Sequence, residues 1–252
     1  MTDRPKRSYI ICTAPRSGST LLCRMLSATG AAGQPDSHFH APSFERWLTV
    51  YDLKSDAFSS QRDTLHAIFD AAIARGSGEG NIFGLRLQRD SFAYFMQQLG
   101  VITPGQMSDV ERIESAFGPT TFIHLSRPDR LGQAISRLRA EQTGLWHRRA
   151  DGSELERLAP AADAKYDSQA IADYMAHASQ LDAAWERWFN SAGIAPFRID
   201  YDNLAKDPHN TLADVLCHLG LNPAQAHLVA PPTARLADSD NLRWRNWFLA
   251  AQ

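Results

Sequence analysis

One short segment constrains the fold more than any other. An apolar run, Ser8-Tyr9-Ile10-Ile11-Cys12-Thr13, leads into Ala14-Pro15-Arg16-Ser17-Gly18, and helical spacing begins at Ser19. The run is bounded by turn residues and reads as a buried strand. Leu21, Leu22, Met25 and Leu26 recur at helical intervals, and Gly30 is placed to stop the helix. Strand, tight loop and helix in this order gather backbone N–H groups and the positive end of a helix dipole, which is an anion site. Gly18 lets the backbone close around an oxygen. Ser17, Ser19 and Thr20 add hydroxyl donors, and Arg16 adds a fixed positive charge. The competing structural reading is an ordinary serine-rich helix cap after a strand.

The loop shares only its outline with a Walker A loop. With Gly18 at the second glycine, Ser19 stands where the lysine belongs and Thr13 where the first glycine belongs. The cation that neutralises a β/γ-phosphate is missing, so ATP or GTP hydrolysis is disfavoured.

The rest of the chain alternates strands and helices. Residues 31–60 hold Gly33, Pro35 and Pro42 and read as a short strand followed by irregular chain. A helix through Leu65, Ile68, Phe69 and Ala72 ends near Gly76, and a strand over 81–87 leads to a helix through Phe92, Phe95, Met96 and Leu99. Thr120–Ser126 is a third strand, followed by a helix over roughly 130–142. Residues 148–167 read as loop. A long helix carries Ile171 to Phe189, Phe197–Tyr201 is a fourth strand, and Leu212–Leu219 is a helix closed by Gly220. The pattern predicts an α/β fold: a three-layer sandwich whose central parallel sheet is covered on both faces. No internal repeat or low-complexity tract interrupts it, and one domain over 1–252 accounts for the length.

Composition sets the remaining bounds. The 26 basic and 28 acidic residues leave a net charge of −2, so no strong field draws the chain to nucleic acid or to a membrane. Arginine outnumbers lysine 22 to 4, and its planar fork suits phosphate and sulfate, although a GC-rich genome gives the same bias. Cys12, Cys23 and Cys217 form neither a disulfide framework nor a metal pair. The first residues carry too short an apolar run for a signal peptide, and no later run approaches a membrane span. A soluble cytoplasmic protein is expected.

A second constellation is Arg127-Pro128-Asp129 with Ser136 nine residues beyond Arg127. Arg127 falls at the carboxyl end of a strand, where open α/β sheets bind ligands. With Ser136 on the next helix it is positioned to grip a second phosphate; alone, the tripeptide reads equally as a turn and cap. Arg86 lies inside an apolar strand and needs an anionic partner, either a structural carboxylate or a sulfate. Trp47, Trp146 and His147 are candidates for a platform under a sugar ring. Trp185 and Trp188 have helical spacing and belong to the core.

Together these motifs resemble sulfotransferases that use 3′-phosphoadenosine 5′-phosphosulfate (PAPS). Pro15–Thr20 followed by Leu21-Leu22 resembles their 5′-phosphosulfate loop, and Arg127 with Ser136 their 3′-phosphate site. The bacterial trehalose 2-sulfotransferase family and related carbohydrate sulfotransferases are most similar. The likeness runs through Ala28–Gly33, Arg139–Thr143, Trp146, Trp185, Trp188-Phe189, Asp200-Tyr201, Arg235–Asp238 and Trp244. It implies a P-loop, nucleoside-kinase-like sulfotransferase fold and release of 3′-phosphoadenosine 5′-phosphate (PAP). It further implies a carbohydrate or glycolipid acceptor, a homodimer, and no metal. Arg16, Ser17, Gly18, Ser19 and Thr20 would hold the donor's 5′ end, Arg127 and Ser136 its 3′-phosphate, and Arg235 would help.

The match departs at the base. The family places a catalytic Glu after a Gly-Glu-Pro motif; here the segment reads Gly33-Gln34-Pro35-Asp36-Ser37-His38-Phe39-His40, with Ser37 at the Glu position. Asp36, His38 and His40 are the candidates to take the acceptor proton. In an extended segment the three would share one face. Contacts to sugar hydroxyls are the alternative role for the histidines. A P-loop-like phosphotransferase and a non-catalytic PAP-binding protein are the competing functions.

Overall fold

The computed structural model describes residues 5–78, 82–149, 151–230 and 239–251. Four parallel strands form the central sheet: β1 (Arg7–Thr13), β2 (Ile82–Gln88), β3 (Thr120–Ser126) and β6 (Phe197–Asp200), in the order β2-β1-β3-β6. The sheet is parallel because helical crossovers return the chain to the same end of the sheet before each strand. Each strand obeys the period of two. From β1, Ile10 and Cys12 enter one core and Tyr9 and Ile11 the other.

The larger core lies between the sheet and α2 (Phe44–Tyr51), α3 (Gln61–Ser77), α4 (Arg89–Ile102), α5 (Asp109–Phe117) and the C-terminal half of α7 (Ser168–Ala192). The opposite core is closed by α1 (Ser19–Ala28), α8 (Tyr201–Lys206) and α9 (Pro208–His218). This gives the three layers that the alternation predicts. A third cluster joins α6 (Arg130–Thr143), the start of α7 and α10 (Ser239–Ala250). Among the described residues no helix is long and apolar enough to cross a membrane.

Several expected elements differ. The short strand expected within 31–60 is reduced to an isolated parallel bridge, Asp36 to Leu85. The irregular stretch after it contains α2, capped by Ser43, whose Phe44, Trp47, Leu48 and Tyr51 make an apolar stripe at helical spacing. Trp47 is therefore core and not a sugar platform. It is fully buried, its indole N–H donates to the Ala41 carbonyl (2.9 Å), and it meets Phe39 edge-on. Part of the expected 148–167 loop is an antiparallel hairpin, β4 (Leu145–Arg148) with β5 (Glu154–Arg157), turned at Asp151-Gly152. The expected helix near 212 begins earlier, at Pro208, with Asp207 as its cap.

The end of β1 is fixed from three sides. Thr13 Oγ1 donates to the Leu125 carbonyl of β3 (2.9 Å) and also meets the Ser17 hydroxyl. The Trp185 indole N–H of α7 donates to the Thr13 carbonyl (2.9 Å), and both groups are buried. Trp185→Phe removes that donor and strands a buried carbonyl, a loss of about 1–3 kcal/mol. Urea unfolding should show a fall of this size. An unchanged midpoint would mean the bond does not anchor the strand.

Candidate functional site

The carboxyl ends of β1, β2 and β3 open into a cavity of about 560 Å³. This is where the strand order reverses: β1 has β2 on one side and β3 on the other, which leaves a crevice between the loops after β1 and β3. Arg16 follows β1 and Arg127 follows β3, so the topology alone brings these two motifs to one mouth. Both line the cavity, with Gly18, Ser19, Thr20 and Ser136.

The loop after β1 is bent tightly. Arg16 has φ 64° and Gly18 φ 85°, both in the left-handed region. A Cβ at Gly18 would fall on the Tyr201 ring, so glycine is required there for space as well as for backbone angle. Gly18 caps α1 and no side chain bonds the first turn, so the amides at that end are not consumed by a side-chain cap. The Ser17 hydroxyl is fully buried; it meets Thr13 and lies 2.8 Å from the Ala14 carbonyl. It braces the loop and does not face the cavity, contrary to the expectation of a donor hydroxyl there.

Three arginines converge on the cavity from three elements. Arg16 Nε donates to Ser136 Oγ (3.0 Å) and its Nη1 to the Trp146 carbonyl (2.7 Å). Among the described residues it has no ion-pair partner. Burial, and then Arg127, bring its pKa down to about 10, so it is still charged at neutral pH. Arg127 donates to the Arg16 carbonyl (3.2 Å) and lies 4.4 Å from the centre of the Tyr201 ring. Ser136 is thus held by Arg16, while the Arg127 guanidinium backs the same loop. Arg86, at the end of β2, donates to Ser37 Oγ (2.8 Å), Thr20 Oγ1 (2.8 Å) and Asp36 Oδ1 (3.1 Å). Its position in an apolar strand is explained by this fan of acceptors at the sheet's edge.

The three base candidates separate. The segment turns instead of extending: the His38 amide donates to the Asp36 carbonyl (2.9 Å) and that of His40 to the Ser37 carbonyl (3.0 Å). They therefore do not share a face. Asp36 and His40 line the cavity. His38 is buried elsewhere, with Nε2 at 3.0 Å from the Gln34 carbonyl and its ring against Phe83, and burial lowers its pKa. It does not reach the site. Burial, with Arg86 and Arg46, lowers the pKa of His40 as well.

Trp146 and His147 line the cavity from β4. Burial, then Arg16, Arg86 and Arg24, push His147 down to about 3, so its ring is neutral at physiological pH. Its Nε2 lies 3.1 Å from Thr20 Oγ1. Arg235 lies outside the described residues. Sequence reasoning missed Glu156, Gln133 and Asp90. Gln133 donates to the Pro15 carbonyl (2.7 Å) and ties α6 to the loop. Asp90 and Glu156 line the cavity, and Glu156 came with the unrecognised hairpin. The Asp151-Gly152 pair between Leu145–Arg148 and Glu154–Arg157 was the available signal.

The chain is similar to known proteins over nearly its whole length. The family model for Stf0 sulphotransferase matches residues 8–251. Trehalose 2-sulfotransferase of Mycobacterium tuberculosis is 30% identical over 96% of this chain and 94% of its own length. Trehalose 2-sulfotransferase of Mycolicibacterium smegmatis is 27% identical over 97% of this chain and 94% of its own. A solved sulfotransferase from Alicyclobacillus acidocaldarius aligns with a TM-score of 0.48 at 15% identity, over 99% of this chain and 93% of that one. With a family match over nearly its whole length and a full-length relative at 30% identity, the chain belongs to the Stf0 sulfotransferase family.

Proposed function

We propose that the chain moves a sulfuryl group from PAPS to a hydroxyl of a carbohydrate or glycolipid acceptor and releases PAP. The observation that carries this reading is Arg16. A half-buried guanidinium held only by a hydroxyl and a carbonyl, with no ion-pair partner among the described residues, calls for an anion beside it. The cavity volume falls in the range of small-molecule sites, roughly 300–1,000 Å³. The names of the two relatives support a carbohydrate acceptor.

The donor would supply an activated sulfuryl group on a phosphate leaving group. The amides at the start of α1, with Ser19 and Thr20, hold its 5′ end, and Arg16 neutralises charge that develops on the leaving oxygen. Arg127 and Ser136 face the 3′-phosphate. Arg86 orients Thr20 and Ser37 toward the transferred group through its fan of hydrogen bonds. Trp146 and the neutral His147 ring present the wall on which a sugar docks. Catalysis here is chiefly positioning and charge neutralisation, as in phosphoryl transfer.

Calorimetric titration of the folded protein with PAP, AMP and ATP tests the donor site. PAP should bind most tightly. Arg16→Ala removes a charge-assisted contact of about 1.5–3 kcal/mol and should weaken PAP and AMP alike, by roughly 10- to 100-fold. Arg127→Ala should weaken PAP by a similar factor and narrow its advantage over AMP. Equal affinity for PAP and AMP in the unaltered chain would remove the reading's support.

Gly18→Ala forces a side chain into a left-handed position, at about 1–2 kcal/mol, and into the Tyr201 ring. It should cut PAP affinity tenfold or more with the circular dichroism spectrum preserved. Unchanged affinity would mean that the loop backbone does not close on the donor.

A further inference from the structure

In-line transfer needs a group that takes the proton of the acceptor hydroxyl, and Ser37, at the position where the resemblance places a carboxylate, is a poor base. Three carboxylates line the cavity: Asp36, Asp90 and Glu156. Two are engaged. Asp36 Oδ1 accepts from Arg86 (3.1 Å) and from the Ser37 amide (2.7 Å), and the side chain is 72% exposed. Asp90 Oδ1 lies 3.4 Å from His177 Nε2 of α7. Of the three, Asp36 is already committed as a hydrogen-bond acceptor to a guanidinium.

Glu156 differs. It stands on β5 directly across from His147 on β4, and its Oε2 lies 3.5 Å from His147 Nε2. Among the described residues no arginine lies within ion-pair distance of it, although its charge acts on Arg16 through space, and its side chain is 46% exposed and lines the cavity. The hairpin that carries it is stapled to the anion loop twice. Arg16 Nη1 donates to the Trp146 carbonyl, and Thr20 Oγ1 meets His147 Nε2. The carboxylate and the Thr20 hydroxyl of α1's first turn, where the transferred group is held in the proposed reading, therefore meet the same nitrogen, His147 Nε2. Its exposure lets the proton leave to solvent after each turnover.

We propose that Glu156, held beside His147 by the β4–β5 hairpin, is the general base of this enzyme. The assignment rests on the sulfotransfer reading above. The acceptor O–H bond breaks and its proton passes to Glu156 Oε2. The acceptor oxygen forms its bond to sulfur while the bond from sulfur to the bridging phosphate oxygen breaks, and that oxygen keeps the electron pair. His147 acts as a positioning residue.

The test compares the unaltered chain with Glu156→Gln and Glu156→Asp. PAP affinity is measured by calorimetry. Transfer from labelled PAPS is followed to trehalose and, in its absence, to water. Glu156→Gln should bind PAP within about twofold of the unaltered chain and lose turnover by roughly 10²- to 10⁴-fold, with the acid limb of its pH–rate profile gone. Glu156→Asp should recover part of the rate and restore that limb. Turnover of Glu156→Gln within threefold of the unaltered chain overturns the assignment, as does a loss of PAP affinity that matches the loss of rate. Tight PAP binding by the unaltered chain with no transfer to trehalose or water also overturns it, while leaving the donor site standing. Failure of the unaltered chain to prefer PAP over AMP instead overturns the sulfotransfer reading itself.

Discussion

The site depends on the way the last residue of β1 is held. Thr13 gives its hydroxyl to the neighbouring strand and its carbonyl to the Trp185 indole, while its oxygen also meets Ser17 inside the loop. These bonds are buried, where a hydrogen bond is worth more and its loss leaves an unsatisfied group. With the strand end fixed, the next five residues can turn through two left-handed positions and still deliver Arg16 and Gly18 to defined places. Backbone strain of this kind persists only where the surroundings over-determine it. Here they do: Arg127 holds the Arg16 carbonyl, Gln133 holds that of Pro15, and Tyr201 packs on Gly18.

Around that loop the fold gathers positive charge from three separate strand ends. Arg16, Arg86 and Arg127 are far apart in sequence, and each is set by a different neighbour: Ser136 on α6, Thr20 on α1, and Tyr201 at the start of α8. Side chains with five donors in a rigid plane suit this role, since each can bond the scaffold and still present an edge to the cavity. The β4–β5 hairpin completes the enclosure with Trp146, His147 and Glu156.

The sheet and the loop after β1 were legible in the sequence because both are local. Ser8–Thr13 and Thr120–Ser126 are short segments with apolar centres whose boundaries match β1 and β3 within a residue. Arg16 and Arg127 could be placed together because parallel strands put their following loops at one end of the sheet. What was illegible depended on tertiary placement. Asp36, His38 and His40 alternate in the sequence, but tight turns at Ser37 and Phe39 send His38 inward. Trp47 looked like a sugar platform because aromatic residues serve both cores and ligands; the Phe44–Tyr51 stripe that decides the matter lies in a Pro-rich stretch that masks it. Glu156 was hidden by a four-residue strand too short to stand out.

Gathering like charges at one point has a thermodynamic consequence for the chain as a whole. Arg16 and Arg127 repel one another in a partly desolvated space, and the fold holds them there against that repulsion. Any anion that settles among them binds the folded chain and not the unfolded one. Folding free energy thereby becomes a logarithmic function of anion concentration. The protein is linked to its ionic surroundings as well as to its substrate: abundant small anions both steady the fold and occupy the same cradle. Its stability and its affinity for any larger anionic ligand of that cradle are therefore coupled in opposite senses to the small anions around it.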